Sequence, residues 1–135
     1  MTRVLLIDAN RTLTKVAAMQ CLEHGIAVRL ADTFCEGVRQ LLEIPVSLVI
    51  VSSGLVHLPA GELARLFETA APGVPVVVRV EAGQGMDEQM RFELHGFRVV
   101  REPFDVLDLV VKAAEPGRVV SQPAGAMAAV EAACR

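Results

Sequence analysis

Apolar residues in this chain fall into short unbroken runs, separated by longer stretches in which they recur at helical spacing. The strongest runs are Val4-Leu5-Leu6-Ile7, Leu48-Val49-Ile50-Val51 and Val74-Pro75-Val76-Val77-Val78, with weaker ones at 26–30 and 97–101. Aliphatic runs this short, closed by turn-forming residues, mark strands buried on both faces. Between them the spacing predicts helices. The first covers 11–23, with Leu13, Val16, Ala17 and Cys21 on one face, Asn10 or Asp8 as its cap and Gly25 as its stop. Thr33 opens a second through Val38, Leu41 and Leu42, and Pro45 stops it. A third aligns Leu63, Leu66, Phe67 and Ala70. A fourth, 86–95, aligns Met86, Met90 and Leu94, with Asp87, Glu88, Arg91 and Glu93 on its other face and Gly96 as its break. The last follows Glu102-Pro103-Phe104 and buries Val106, Leu109, Val110 and Ala113.

Strict alternation of five strands with five helices requires parallel strands joined by right-handed crossovers. The expected fold is α/β: a flavodoxin-like, doubly wound five-stranded parallel sheet, order 2-1-3-4-5, with helices on both faces. Arg29 interrupts the second strand, which suits an outer position. Residues 1–116 are expected to form the domain. Residues 117–135 read as a linker and a short alanine-rich tail, in which Met127, Val130 and Cys134 share one helical stripe. A stripe that short does not hold a helix by itself.

Composition narrows the function. The 135 residues suffice for one domain, and a 53% hydrophobic content supplies a core. The net charge is −3 and lysines and arginines form no run, so nucleic acid is not an expected partner. No apolar stretch reaches the length of a membrane span. The apolar run near Met1 is cut by Asp8, too early for a signal peptide, so a cytoplasmic location is expected. Cys21, Cys35 and Cys134 form neither a disulfide framework nor a zinc pattern. His24, His57 and His95 are equally scattered, so no metal site is expected.

Functional groups of open parallel sheets collect beyond the carboxyl ends of the strands. Here those positions hold Asp8, Ser52 with Ser53, and Val80 with Glu81. The order of these signals over about residues 3–115 resembles a response-regulator receiver domain. The resemblance rests on Val4-Leu5-Leu6-Ile7-Asp8 leading into a helix, on Leu48-Val49-Ile50-Val51 before a site position, on Val74-Pro75-Val76-Val77-Val78, and on Pro103-Phe104 opening the last helix.

That family needs an acidic pair after the first strand to hold magnesium, and a phosphoacceptor aspartate after the third. A hydroxyl residue ends the fourth strand, and a lysine precedes the proline after the fifth. Matched residue by residue, Asp8 keeps the first acid and Ala9 replaces the second. Ser52 stands for the acceptor, Val80 for the hydroxyl residue and Glu102 for the lysine. Val99 replaces the aromatic that reports the switch, and Glu81 fills a place that is usually small.

The resemblance therefore implies a degenerate receiver, a pseudo-receiver in bacterial signal transduction, without catalytic residues and acting through phosphorylation-independent contact with a protein. Asp8 and a carbonyl near Gly54 are too few ligands for magnesium, so no cofactor is expected. The family's usual contact face would here include Met90, Arg91, Glu93, Arg98, Val99 and residues of 104–115, with a signalling protein or a second copy as the partner. Two other readings remain open at this stage. One is phosphorylation of Ser52, or of Ser53, by a serine kinase. The other is a small-molecule module using the crevice of Asp8, Ser52, Ser53, Glu81 and Gln84.

Overall fold

The computed structural model describes residues 2–101 and 105–113. Glu102, Pro103 and Phe104 lie outside the described residues, as do the expected domain end at 116 and the tail 117–135. Five strands, β1 (Arg3–Ile7), β2 (Ala27–Ala31), β3 (Leu48–Ser52), β4 (Val76–Val80) and β5 (Arg98–Arg101), alternate with five helices. These are α1 (Arg11–Glu23), α2 (Phe34–Glu43), α3 (Ala60–Ala70), α4 (Met86–Glu93) and α5 (Val106–Ala113). A 3₁₀ turn, Ser53–Leu55, follows β3. All strands pair in parallel in the order β2-β1-β3-β4-β5, as the alternation predicts. Arg29 does sit on an edge strand.

The pleat sorts side chains into two layers, because alternate residues point to opposite faces. Leu5, Ile7, Val49, Val51, Val78 and Val80 face the layer with Phe34, Phe67, Phe92 and Phe97. Those four rings run edge-to-face in a chain, with centroids 6.3, 6.5 and 6.1 Å apart. Val4, Leu6, Leu48, Ile50 and Val77 face the other layer, against Ala17 and Cys21 of α1 and Val106, Leu109 and Val110 of α5. The Cys21 thiol is buried there, and burial, with a smaller push from Asp105, raises its pKa.

Local signals explain the helix limits. The Asn10 side chain accepts a hydrogen bond from the Leu13 amide at 3.1 Å, so Asn10, not Asp8, caps α1. Thr33 caps α2 by accepting from the Glu36 amide at 3.2 Å. Gly25 and Gly96 follow α1 and α4 in the left-handed region, at φ 73° and 87°.

Two apolar rows differ from the sequence reading. Val16, expected on the buried face of α1, is 50% exposed, and Met19 and Leu22 are exposed beside it. The helix turns Ala17 and Cys21 inward, as the spacing predicts, with Thr14 and not Val16 beside them. On α4 the aligned Met86, Met90 and Leu94 face solvent, and Phe92 is the buried residue.

Helix α2 lies tightly against β1. Gly37 is buried where an added Cβ would collide with the Ile7 side chain. Gly37→Ala is expected to lower stability by about 1–3 kcal/mol, because overpacking outweighs the better helix propensity of alanine. Urea denaturation followed by circular dichroism checks this.

Candidate functional site

Continuing the pleat of β1, β3 and β4 by one step places three polar residues on the same face. Asp8 follows Ile7, which is level with Val51, so Asp8 comes level with Ser52. Ser52 is itself paired with Arg79. The order β1-β3-β4 therefore puts Ser52 between an acid and a base at the carboxyl edge. Two strand spacings, roughly 10 Å, separate β1 from β4, a span that an arginine can bridge.

Arg79 does bridge it. Its Nε donates to Asp8 Oδ2 at 2.6 Å and its Nη2 donates to Asp8 Oδ1 at 3.0 Å, a two-point ion pair. Nη2 also lies 3.3 Å from Ser52 Oγ, which accepts. Asp8, Ser52 and Arg79 are each 3% exposed. Asp8 Oδ1 further accepts from the Asn10 amide at 2.9 Å, which shapes the loop into α1. Both carboxylate oxygens are thus engaged within the protein.

A second cluster lies beside the first. Ser53, also buried, donates from Oγ to Gln84 Oε1 at 2.9 Å. The same oxygen accepts from the Glu81 amide at 3.2 Å, and the Gln84 amide donates to the Glu81 carbonyl at 3.0 Å. Glu81 itself is exposed at the rim, its Oε1 3.5 Å from where a Cβ on Gly54 would lie. Arg101, at the end of β5, donates to the Gln84 carbonyl at 2.7 Å and the Gly85 carbonyl at 3.0 Å.

Of the positions singled out from sequence, Asp8 and Ser52 both meet the Arg79 guanidinium. Ala9 is exposed and brings no polar group. Val80 is fully buried in the phenylalanine layer, on the opposite face, and takes no part in the cluster. Glu102 lies outside the described residues. On the contact face, Met90 and Arg98 are exposed and Arg91 and Val99 half-buried. Arg91 pairs with Glu88 at 3.0 Å and stacks over the Phe92 ring, 4.5 Å from its centroid.

Arg79 is the site residue that sequence reasoning missed. It sits inside an aliphatic strand, where a charge reads as an irregularity. Parity with Ser52 was the available signal, since an arginine one residue before the strand end shares the face of Asp8.

The sequence matches no family model and no curated protein. Solved structures do match. A CheY-like response regulator receiver domain protein from Methanospirillum hungatei JF-1 superposes with a TM-score of 0.70 at 18% identity, over 85% of this chain and 92% of that one. A beryllofluoride-activated NtrC4 receiver domain, a dimer, gives 0.68 at 16% identity over 98% and 99%.

The chain has the receiver fold. A third match, described as a family of redox sensors in the streptococci evolved from two-component response regulators, gives 0.68 at 15% identity over 83% of this chain and 49% of that one. No described helix is long and apolar enough to cross a membrane.

The receiver fold brings magnesium into question, because receivers hold it with the acids after β1 and the acceptor carboxylate. The donor set here does not fit the ion. Hard divalent cations take six or more oxygen ligands, with carboxylates foremost. Asp8 supplies one carboxylate, Ala9 and Ser52 supply none, and a guanidinium already occupies both Asp8 oxygens. Among the described residues no three His, Cys, Asp or Glu side chains gather around a common point.

Proposed function

We propose that this protein is a pseudo-receiver: a receiver-fold signalling module that works by docking to a protein and not by aspartyl phosphorylation. The observation that carries this reading is the Arg79 guanidinium on Asp8 and Ser52. In a working receiver a mobile cation and an incoming phosphoryl group meet at a carboxylate. Here an internal cation is covalently part of the chain, and its partner acid is already neutralised. The serine at the acceptor position is a weak nucleophile, and Asp8, the acid beside it, is engaged by Arg79. No catalytic role and no cofactor are assigned to the site, and phosphorylation has no chemistry to act through.

The docking surface in this proposal is the α4–β5 face. Met86 and Met90 on α4 and Leu94 at its C-cap are 62%, 47% and 77% exposed, a row of large apolar side chains open to solvent. Arg98 stands exposed at the adjoining edge strand. The partner is a signalling protein or a second copy. Serine phosphorylation finds less support, because Ser52 and Ser53 are 3% and 4% exposed and both hydroxyls are engaged. The small-molecule reading meets the same obstacle, since Asp8 and Ser52 are tied to Arg79 and Ser53 to Gln84.

A two-dimensional amide NMR titration, first with magnesium and then with beryllofluoride, tests the proposal. Unchanged signals at Asp8, Ser52 and Arg79 are expected at millimolar additions. Saturable shifts there that spread to Val99 would sink it. In parallel, a partner captured by the wild-type chain from its host is expected to be lost with Met90→Asp and kept with Met19→Asp, on the opposite layer.

A further inference from the structure

The second polar cluster forms a continuous bridge from the site to the α4 face, and Arg101 is its keystone. Its three side-chain nitrogens act in three directions. Nε donates to Gln89 Oε1 on α4 at 2.8 Å, while Nη1 and Nη2 hold the carbonyls of Gln84 and Gly85. Gly85 is the residue that caps α4, and its position offers no side-chain hydrogen bond of its own. Gln89 then passes the contact along the helix, donating to Glu93 Oε1 at 2.7 Å. On the other side Gln84 reaches back to Ser53 and the Glu81 amide. One planar guanidinium therefore joins the β4–α4 loop, the end of β5 and the body of α4, and Gln84 extends the network to the 3₁₀ turn after β3.

We propose that Arg101 is a positioning residue that latches the β4–α4 loop and fixes the rotation of α4, so that Met86, Met90 and Leu94 are held in one presentation. The inference rests on the reading of α4 as the docking face and adds how that face is set. The two positions that carry the switch in receivers are valines here, Val80 and Val99. Valine offers no polar group whose bonding can change with the state of the site. The Arg101 side-chain contacts run to Gln84, Gly85 and Gln89 rather than to Asp8 or Ser52. Guanidinium geometry matters because the acceptors come from three residues in fixed directions, which a lysine ammonium on a flexible stem does not reproduce.

The test needs neither a partner nor a phosphoryl analogue. Amide exchange and methionine-methyl spectra are recorded for the full chain and for Arg101→Ala, Arg101→Lys and Gln89→Ala. In Arg101→Ala, exchange at Gln84 and at 90–94 is expected to accelerate about tenfold relative to Val49–Val51, as a local opening would give. The Met86 and Met90 methyl signals are expected to move, and Arg101→Lys is expected to behave like the alanine variant. Gln89→Ala removes only the arm on the helix and is expected to shift Met90 while leaving Gln84 exchange unchanged. Unaltered exchange and methyl positions in Arg101→Ala would overturn the latch, as would an equal acceleration across the whole sheet. If Arg101→Ala does not fold, an unmoved Met90 in Gln89→Ala overturns it instead. Failure of the latch leaves docking through α4 standing, whereas beryllofluoride shifts at Asp8 would remove the pseudo-receiver reading and leave the latch intact.

Discussion

Asp8→Ala is expected to destabilise the fold by about 3–5 kcal/mol, because it removes the carboxylate that holds the buried Arg79 guanidinium at two points. That is a large share of the roughly 5–15 kcal/mol by which a domain is stable. The side chains of Arg79 and Asp8 are 4% and 2% exposed, so water does not screen the loss. The stability of the pair itself is a different quantity. Two charges drawn from water lose several kcal/mol each in solvation, and their attraction returns little beyond that. The double variant Asp8→Ala/Arg79→Met is therefore expected to be more stable than Asp8→Ala alone by at least about 2 kcal/mol. Ser52→Ala removes only the longer, 3.3 Å contact, and is expected to cost about 1 kcal/mol. Urea denaturation followed by far-ultraviolet circular dichroism compares these variants with the wild type, since the chain has no tryptophan. A double variant no more stable than Asp8→Ala would mean that the two side chains do not depend on each other.

The fold was legible because its three central strands, β1, β3 and β4, are buried on both faces. Val49 and Ile50 can be nothing but interior, and Gly25, Pro45 and Gly96 punctuate the helices where the backbone needs it. What the sequence concealed is orientation. Helical spacing identifies a row of apolar residues without saying which of two rows faces inward. On α4 the single Phe92 outweighs the row of Met86, Met90 and Leu94, because one aromatic ring completes the chain of Phe34, Phe67 and Phe97. On α1 the row of Thr14, Ala17 and Cys21 faces inward and Val16 does not.

The site was half legible for a related reason. Comparing residues position by position with a receiver finds what is missing: the second acid, the acceptor, the hydroxyl and the lysine. It does not find what has been added. Arg79 is not among the positions compared, and its place follows from the pairing of Ser52 with Arg79 between β3 and β4. The Arg101 bridge is hidden in the same way, since two of its acceptors are backbone carbonyls. In the pseudo-receiver proposal these two arginines would replace a switch with fixed contacts, one closing the site and the other holding the α4 face.

If Arg79 is what closes the site, restoring the lost carboxylates alone is expected to fail. Ala9→Asp/Ser52→Asp brings the acids at the carboxyl edge to three with Asp8, but a guanidinium on Asp8 would pair with the carboxylate introduced at position 52 as well. A positive charge about 4 Å from another costs about 4 kcal/mol at an effective dielectric near 20, and about twice that against a divalent ion. Even a quarter of this penalty weakens magnesium binding by more than about tenfold, so the double variant is expected to bind none at millimolar concentration. Adding Arg79→Val removes the competitor and matches the valines of β4 in volume and strand preference. The triple variant is then expected to bind magnesium with a dissociation constant of about 10⁻³ M, at the weak end for oxygen-ligand sites. Isothermal titration calorimetry and amide shifts at Asp8 report both. Equal binding by the double and triple variants would show that the guanidinium does not guard the site. Binding confined to the triple variant would mean that the step from receiver to pseudo-receiver lies as much in one residue gained as in the several lost.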